Sequence, residues 1–182
     1  LAAIVLIAMA ASVRFAMEGE VDWVVGLLLG AGGMVGSTLG AGWMNRMDAA
    51  TLRTVFSVIV VIAGAALAIG GEPPAGEPKE MAATVMMSLA IGVGAGIASG
   101  LAGIGGGVVM VPAMVFFLGL SQHNAEGTSL LAIFFTALAG TRVNLKHGRV
   151  RLRDAVSVGL AGLVLAPVGA TMALRLSGPT LA

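Results

Sequence analysis

Residues 92–129 read GVGAGIASGLAGIGGGVVMVPAMVFFLGLSQHNAEGTS, and how this stretch is interpreted decides the fold. A glycine-laced apolar run enters Gly103-Ile104-Gly105-Gly106-Gly107, resumes as a short apolar segment through Pro112, and ends in polar residues 121–127. Glycine at this density removes side chains and frees φ. In water it weakens a helix. In a bilayer it lets backbones approach closely, or lets a helix break where a ligand meets peptide groups.

The rest of the chain selects the bilayer. Of 182 residues, 58% are hydrophobic and 10% charged, where a soluble domain carries roughly a quarter charged residues. The charges cluster at 18–22, 46–53, 72–80 and 146–154. Between them lie apolar runs of about 20 residues, enough to cross a bilayer core as helix. The expected fold is all-α, a polytopic helical membrane protein; the short alternating segments of a membrane β-barrel are absent. A net charge of +1 gives a nucleic-acid partner no electrostatic support. The absence of cysteine removes disulfides, thiolate nucleophiles and Cys-based metal sites. Gly107 is followed by Val108 and Val109, not by the Lys-Ser/Thr of a phosphate loop, and Gly96-x-x-x-Gly100 has neither the strand nor the acidic residue of a dinucleotide site. No cofactor or metal is expected, and His123 and His147 do not supply a catalytic cluster, so an enzyme is not expected.

Seven apolar segments are expected: 1–17, 22–44, 52–70, 81–103, the short 108–120, 128–145, and 154–176 interrupted by Pro167 with Asp154 as its N-cap. Trp23 and Trp43 flank the second as interfacial anchors do. Gly32, Gly36 and Gly40 recur every four residues, as do Gly92, Gly96 and Gly100; each set forms a helix-packing stripe. GEPPAGEPKE, residues 71–80, is a linker that prolines keep from being helical.

An internal repeat organises these segments. Shifted by 129 residues, 1–53 overlays 130–182 without a gap, with 15 identities, among them Gly19/Gly148, Val21/Val150, Gly30/Gly159, Gly33/Gly162, Gly40/Gly169 and Arg46/Arg175. With basic loops placed in the cytoplasm, 45–53 and 146–153 lie inside, and acidic 18–22 and 72–80 outside. Loops 18–22 and 146–153 are repeat equivalents on opposite sides, as in an inverted-topology repeat. The chain opens at Leu1 within an apolar run and reads as a fragment: 1–71 the rear of a first repeat, 72–82 an extramembrane linker, 83–182 the front of a second. Whether 83–120 crosses twice or is re-entrant stays open.

Gly96, Gly100, the 103–107 run, Pro112, Ala125-x-Gly127-Thr128-Ser129, Gly148 and Val150 resemble the TauE/SafE family of sulfite-exporter-type anion permeases. That resemblance implies a duplicated permease of a prokaryotic cytoplasmic membrane, carrying sulfite, an organosulfonate or another sulfur oxyanion. Counterparts of about residues 86–129 are then expected before Leu1. The resemblance directs attention to Gly103, Gly105, Gly106 and Gly107, where a restarting helix presents free N–H groups to an anion. Ser99, Thr128 and Ser129 add hydroxyl donors, and Arg142 balances the charge if it faces the bundle. Tight packing through small residues is the competing interpretation, and snorkelling to the interface is that of Arg142 and Arg14. The expected partners are a small anion and the lipid bilayer, compatible with a homo-oligomer. The alternative function is a non-transporting membrane subunit anchoring another protein.

Overall fold

Helix directions follow from which small residues meet which neighbours. A computed structural model describes residues 1–44, 47–48, 50–54, 57–58, 61, 64–65, 80–148 and 150–175. The third apolar run and the linker lie largely outside the described residues. The elements are α1 (Ala2–Met17), α2 (Trp23–Met44), α3 (Met81–Ala102), α4 (Gly107–Ala113) continuing into a π-helical turn (Met114–Leu118), α5 (Gln122–Lys146) and α6 (Leu152–Arg175). No strand occurs among the described residues. Helices α2, α3 and α5, and residues Arg153–Arg175 of α6, are long and apolar enough to cross a membrane. The chain is an all-helical, multi-pass membrane protein.

α2 and α3 lie backbone to backbone. A methyl group built on Gly32 would stand 2.5 Å from Leu89 O, and on Gly36 or Gly40 it would overlap Val93 O or Ile97 O. From the other side, Gly92 meets Leu29 O, Gly96 meets Gly33 O and Gly100 meets Ser37 O. The two glycine stripes therefore face each other, and residue numbers rise together, so α2 and α3 are parallel. Without a hydrophobic driving force between helices in lipid, such close approach is what holds them. Gly26, Gly30 and Gly33 oppose Leu131, Phe135 and Thr136, so α2 and α5 are also parallel. α1 runs the other way: Phe15 packs on Gly127 and Leu1 on Gly140. α6 follows α1, since Gly159 meets Leu6, Gly162 meets Ile7, and Arg14 Nε donates to Thr171 Oγ1 at 3.0 Å.

The shift of 129 residues that relates the sequences also relates these contacts. A methyl on Gly30 would lie 2.9 Å from Phe135, and one on Gly159 would lie 2.8 Å from Leu6; Phe135 and Leu6 are equivalent positions. Gly33 opposes Thr136 as Gly162 opposes Ile7, again equivalents. Gly19 and Gly148 both follow a helix C-cap with φ of 77° and 66°, where a side chain would be strained. Glu18, Glu20, Asp22, Glu80 and Glu126 gather at one end of the bundle, and Arg142, Lys146, Arg151 and Arg153 at the other. Beyond α2, Asp48 accepts hydrogen bonds from the N–H groups of Ala50 and Thr51 and from the Thr51 hydroxyl. The Thr51 contacts hold its carboxyl below the usual range.

Three expectations about boundaries change. Residues 122–127 are helix, because Ser121 caps α5 by accepting from Asn124 N and Gln122 bonds Glu126 one turn on. His123 and Asn124 therefore sit in a helical turn, with His123 Nε2 3.3 Å from Ala173 O. α6 starts at Leu152, which puts Asp154 inside the first turn, 4.0 Å from Arg151, where it complements the helix dipole. The helix also continues through Pro167; proline removes the bond to Leu163 O, and one turn on the Thr171 hydroxyl donates to Pro167 O.

Candidate functional site

The glycine run breaks the return from α3. Gly103 closes α3 in the left-handed conformation (φ 76°), its N–H donating to Ser99 O at 2.7 Å. Gly105 and Gly106 also have φ of 88°, a region open mainly to glycine. These angles turn the chain back into the bundle instead of letting it run out at the basic end. A methyl on Gly105 would lie 3.1 Å from Ile133 and 3.4 Å from Ile4; on Gly106 it would lie 2.9 Å from Ala95 O and 3.4 Å from Ser99 Cβ. Ile133 stands near the middle of α5, so the loop sits at mid-height. From there α4 and its π turn run back to the acidic end, where Ser121 starts α5. α3 thus spans the bundle at 22 residues, while the returning segment covers only 12, about 18 Å as helix. Val109 and Met110 both donate to Gly106 O, so the N–H groups of Gly107 and Val108 precede the first intrahelical bond of α4.

The structure brings some predicted residues to this loop and leaves others away from it. Ser99 is fully buried beside Gly106, and its hydroxyl has no partner among the described residues. Ser129 Oγ would be 3.9 Å from a methyl on Gly107, although its hydroxyl donates to Glu126 O at 2.8 Å. Thr128 is committed elsewhere: its oxygen accepts from Asp22 N at 2.9 Å and its hydroxyl donates to Asn124 Oδ1 at 3.2 Å. It thereby ties the α1–α2 loop to α5. Arg142 is exposed in a groove of about 510 Å³ between α2 and α5, lined also by Met34, Leu39 and Lys146, and does not reach the loop. Arg14 pairs with Glu18 at 2.5 Å on the opposite end. A second groove, of about 310 Å³, runs between α1, α5 and α6 past Glu126 and Ser129. Neither groove is lined by residues 103–107. Pro112, buried in α4, removes the bond to Val108 O and leads into the π turn.

Sequence reasoning passed over one feature. Ser37 on α2 and Thr141 and Asn144 on α5 are buried, at 0%, 8% and 9% exposure, and the oxygens Ser37 Oγ, Thr141 Oγ1 and Asn144 Oδ1 have no partner among the described residues. Each such group costs about 1–3 kcal/mol relative to a satisfied one. The signal available was the repeat itself, which pairs Ser37 with Ala166 and Asn144 with Phe15.

The family model described as "Sulfite exporter TauE/SafE" matches residues 1–182. A Xylella fastidiosa protein named "Probable membrane transporter protein" is 28% identical over 167 residues, covering 91% of this chain and 64% of the relative. A Bacillus subtilis protein named "Probable membrane transporter protein YunE" is 24% identical over 163 residues, covering 81% of this chain and 60% of the relative. The chain therefore spans less than two thirds of the length of these relatives. No solved structure matches it.

Proposed function

From the premise that this chain belongs to the sulfite exporter TauE/SafE family, we propose that it acts as the greater part of a secondary transporter for a small anion, a sulfur oxyanion such as sulfite or an organosulfonate. The observation that carries this is the inward-turned glycine loop, with positive φ at Gly103, Gly105 and Gly106 and the unpartnered Ser99 hydroxyl against it at mid-height. A backbone that breaks its helix inside a bilayer needs partners for its freed groups. An anion accepting from the N–H groups of Gly105 to Val108 and from Ser99, with Ser129 beside them, would satisfy them. Thr128 and Arg142 contribute from a distance, as a brace of the α1–α2 loop and as a charge at the basic end.

In this proposal residues 1–71 and 83–182 belong to two inverted repeats joined by 72–82. Two observations support it. Equivalent glycines meet equivalent residues of the other copy, and α1 runs antiparallel to its equivalent α5. The second wall of the site would come from the part of the relatives' length that this chain does not span. Alternating access then exposes the loop to each side in turn.

A non-transporting membrane subunit remains the second reading, favoured by one observation: Ile133, Ile4 and Ala95 close around the loop and neither groove opens onto it. Flux of labelled sulfite, taurine and sulfate into proteoliposomes of the full-length protein separates the two. Saturable flux of at least one supports the transporter; flux equal to empty liposomes for every sulfur oxyanion overturns it.

A further inference from the structure

We propose that Ser37, Thr141 and Asn144 form a site for one monovalent alkali cation of about the size of Na⁺, nearer the basic end of the bundle than the glycine loop and distinct from it.

The residues converge at one junction. Ser37 Oγ lies 2.5 Å from where a methyl on Gly140 would stand, so it rests on the bare face of α5. Asn144 is one turn further along that same face, and Thr141 lies at i, i+3 from Asn144, with such neighbours about 5–6 Å apart at Cβ. Ser37 O, in turn, abuts Gly100, so α2 is held against α3 at the same level. Three buried side-chain oxygens thus lie within about a turn of one another around the α2–α5 contact, and none has a partner among the described residues. A Na⁺ ion there would be held at about 2.3–2.6 Å from each oxygen, the range of the similarly sized Ca²⁺.

The chemistry selects the charge. The Asn144 oxygen is an acceptor only, and hydroxyls turn lone pairs to a cation without cost. The two hydroxyls could donate to an anion as well, but the orphaned atom of Asn144 is its acceptor oxygen, which only a cation or a donor satisfies. A divalent ion needs carboxylates, and no group of three or more His, Cys, Asp or Glu side chains that could hold a metal occurs among the described residues. Neutral oxygens suit a single positive charge. Arg142, the neighbouring cation, points into the outer groove beside Lys146.

The other half of the molecule shows that packing does not require this polarity. At the equivalent junction Ala166 replaces Ser37, Ala11 replaces Gly140 and Phe15 replaces Asn144. Ser12, the equivalent of Thr141, is satisfied by donating to Met9 O at 3.0 Å. The same helix crossing is built there without an orphaned oxygen, so the polar version has another use. That use as a coupling ion rests on the transporter reading; the binding itself does not.

The test is binding of ²²Na⁺ to the purified full-length protein in detergent, paired with melting in NaCl, KCl and choline chloride, with and without sulfite. Wild type should retain ²²Na⁺ and melt about 2–4 °C higher in Na⁺ than in choline. Ser37→Ala and Asn144→Leu should each lower ²²Na⁺ affinity at least about tenfold. Ser37→Ala should also melt higher than wild type in choline, because it removes an orphaned hydroxyl, which keeps the test independent of misfolding. Gly106→Val should bind Na⁺ as wild type does, so loss of the anion site and of the cation site can be told apart. Absence of ²²Na⁺ binding by wild type, or undiminished binding by both polar-site variants, overturns the proposal. Stabilisation by sulfite alone that these variants abolish also overturns it, and assigns the cluster to the anion.

Discussion

The α1–α6 pair and the α5–α2 pair are two versions of one helix crossing. They agree where backbones must approach: Gly30 and Gly159 each receive a large side chain from the partner helix, and Gly33 and Gly162 receive the next equivalent one. They differ at the next turn. The α1–α6 version is closed by Ala11, Phe15 and Ala166, and the α5–α2 version by Gly140, Asn144 and Ser37. Identity between the copies at Gly30/Gly159 and Gly33/Gly162 therefore marks shared packing, and divergence marks a difference in what each copy faces. Gly36, wedged against Val93 O, and its equivalent Leu165, 65% exposed on α6, differ in this way.

The largest effect is expected at the glycine loop, which has no counterpart among the described residues. Gly106→Val places a side chain at φ 88° within 3 Å of Ala95 O. It should cut anion flux in proteoliposomes by at least about 100-fold, as misplacement of a site by an ångström does, with membrane insertion unchanged. Flux within a few-fold of wild type would detach the loop from function.

Next comes the contrast between unlike equivalents. Gly36→Leu drives a side chain into the α3 backbone and should cost about 1–3 kcal/mol, read as a lower melting midpoint in detergent. Leu165→Ala should change that midpoint little. Equal losses would show that α6 is buried in the assembled protein as α2 is here.

A smaller and matched pair sharpens the agreement. A methyl on Gly30 would meet the Phe135 ring edge at 2.9 Å and its Cβ at 3.3 Å, and one on Gly159 would meet a Leu6 methyl at 2.8 Å. Gly30→Ala and Gly159→Ala should destabilise to a similar extent, by about 1 kcal/mol, because each close contact is to a side chain and not to backbone. A difference of several-fold would mean the two crossings are not equivalent. The smallest effect belongs to Arg14–Glu18, a partly exposed i, i+4 pair whose equivalents, Val143 and His147, carry no such bridge. Glu18→Gln should cost about 0.3–0.5 kcal/mol and less in high salt.

Much of this was legible in the chain. Apolar length and clustered charge gave the helices, and the glycine spacing gave the stripes that α2 and α3 press together. Three things were not. Polar residues 122–127 look like a loop, yet the Ser121 cap and the Gln122–Glu126 pair make them helix. Arg142 is a candidate site residue from its sequence position, but which way a side chain faces depends on helix rotation, which composition does not set. Ser37, Thr141 and Asn144 lie on two helices far apart in sequence, and single polar residues in apolar helices carry no spacing signal. Only the packing of Ser37 on Gly140 brings them together.

The transporter reading and the comparison of the two crossings both depend on equivalent loops lying on opposite sides of the membrane. The chain has no cysteine, so single cysteines report cleanly. Glu18→Cys and His147→Cys, both exposed and next to the equivalent turn glycines, would be labelled in intact cells with a membrane-impermeant maleimide. The account predicts labelling of Glu18→Cys from outside and of His147→Cys only after permeabilisation. Labelling of both from the same side would contradict it.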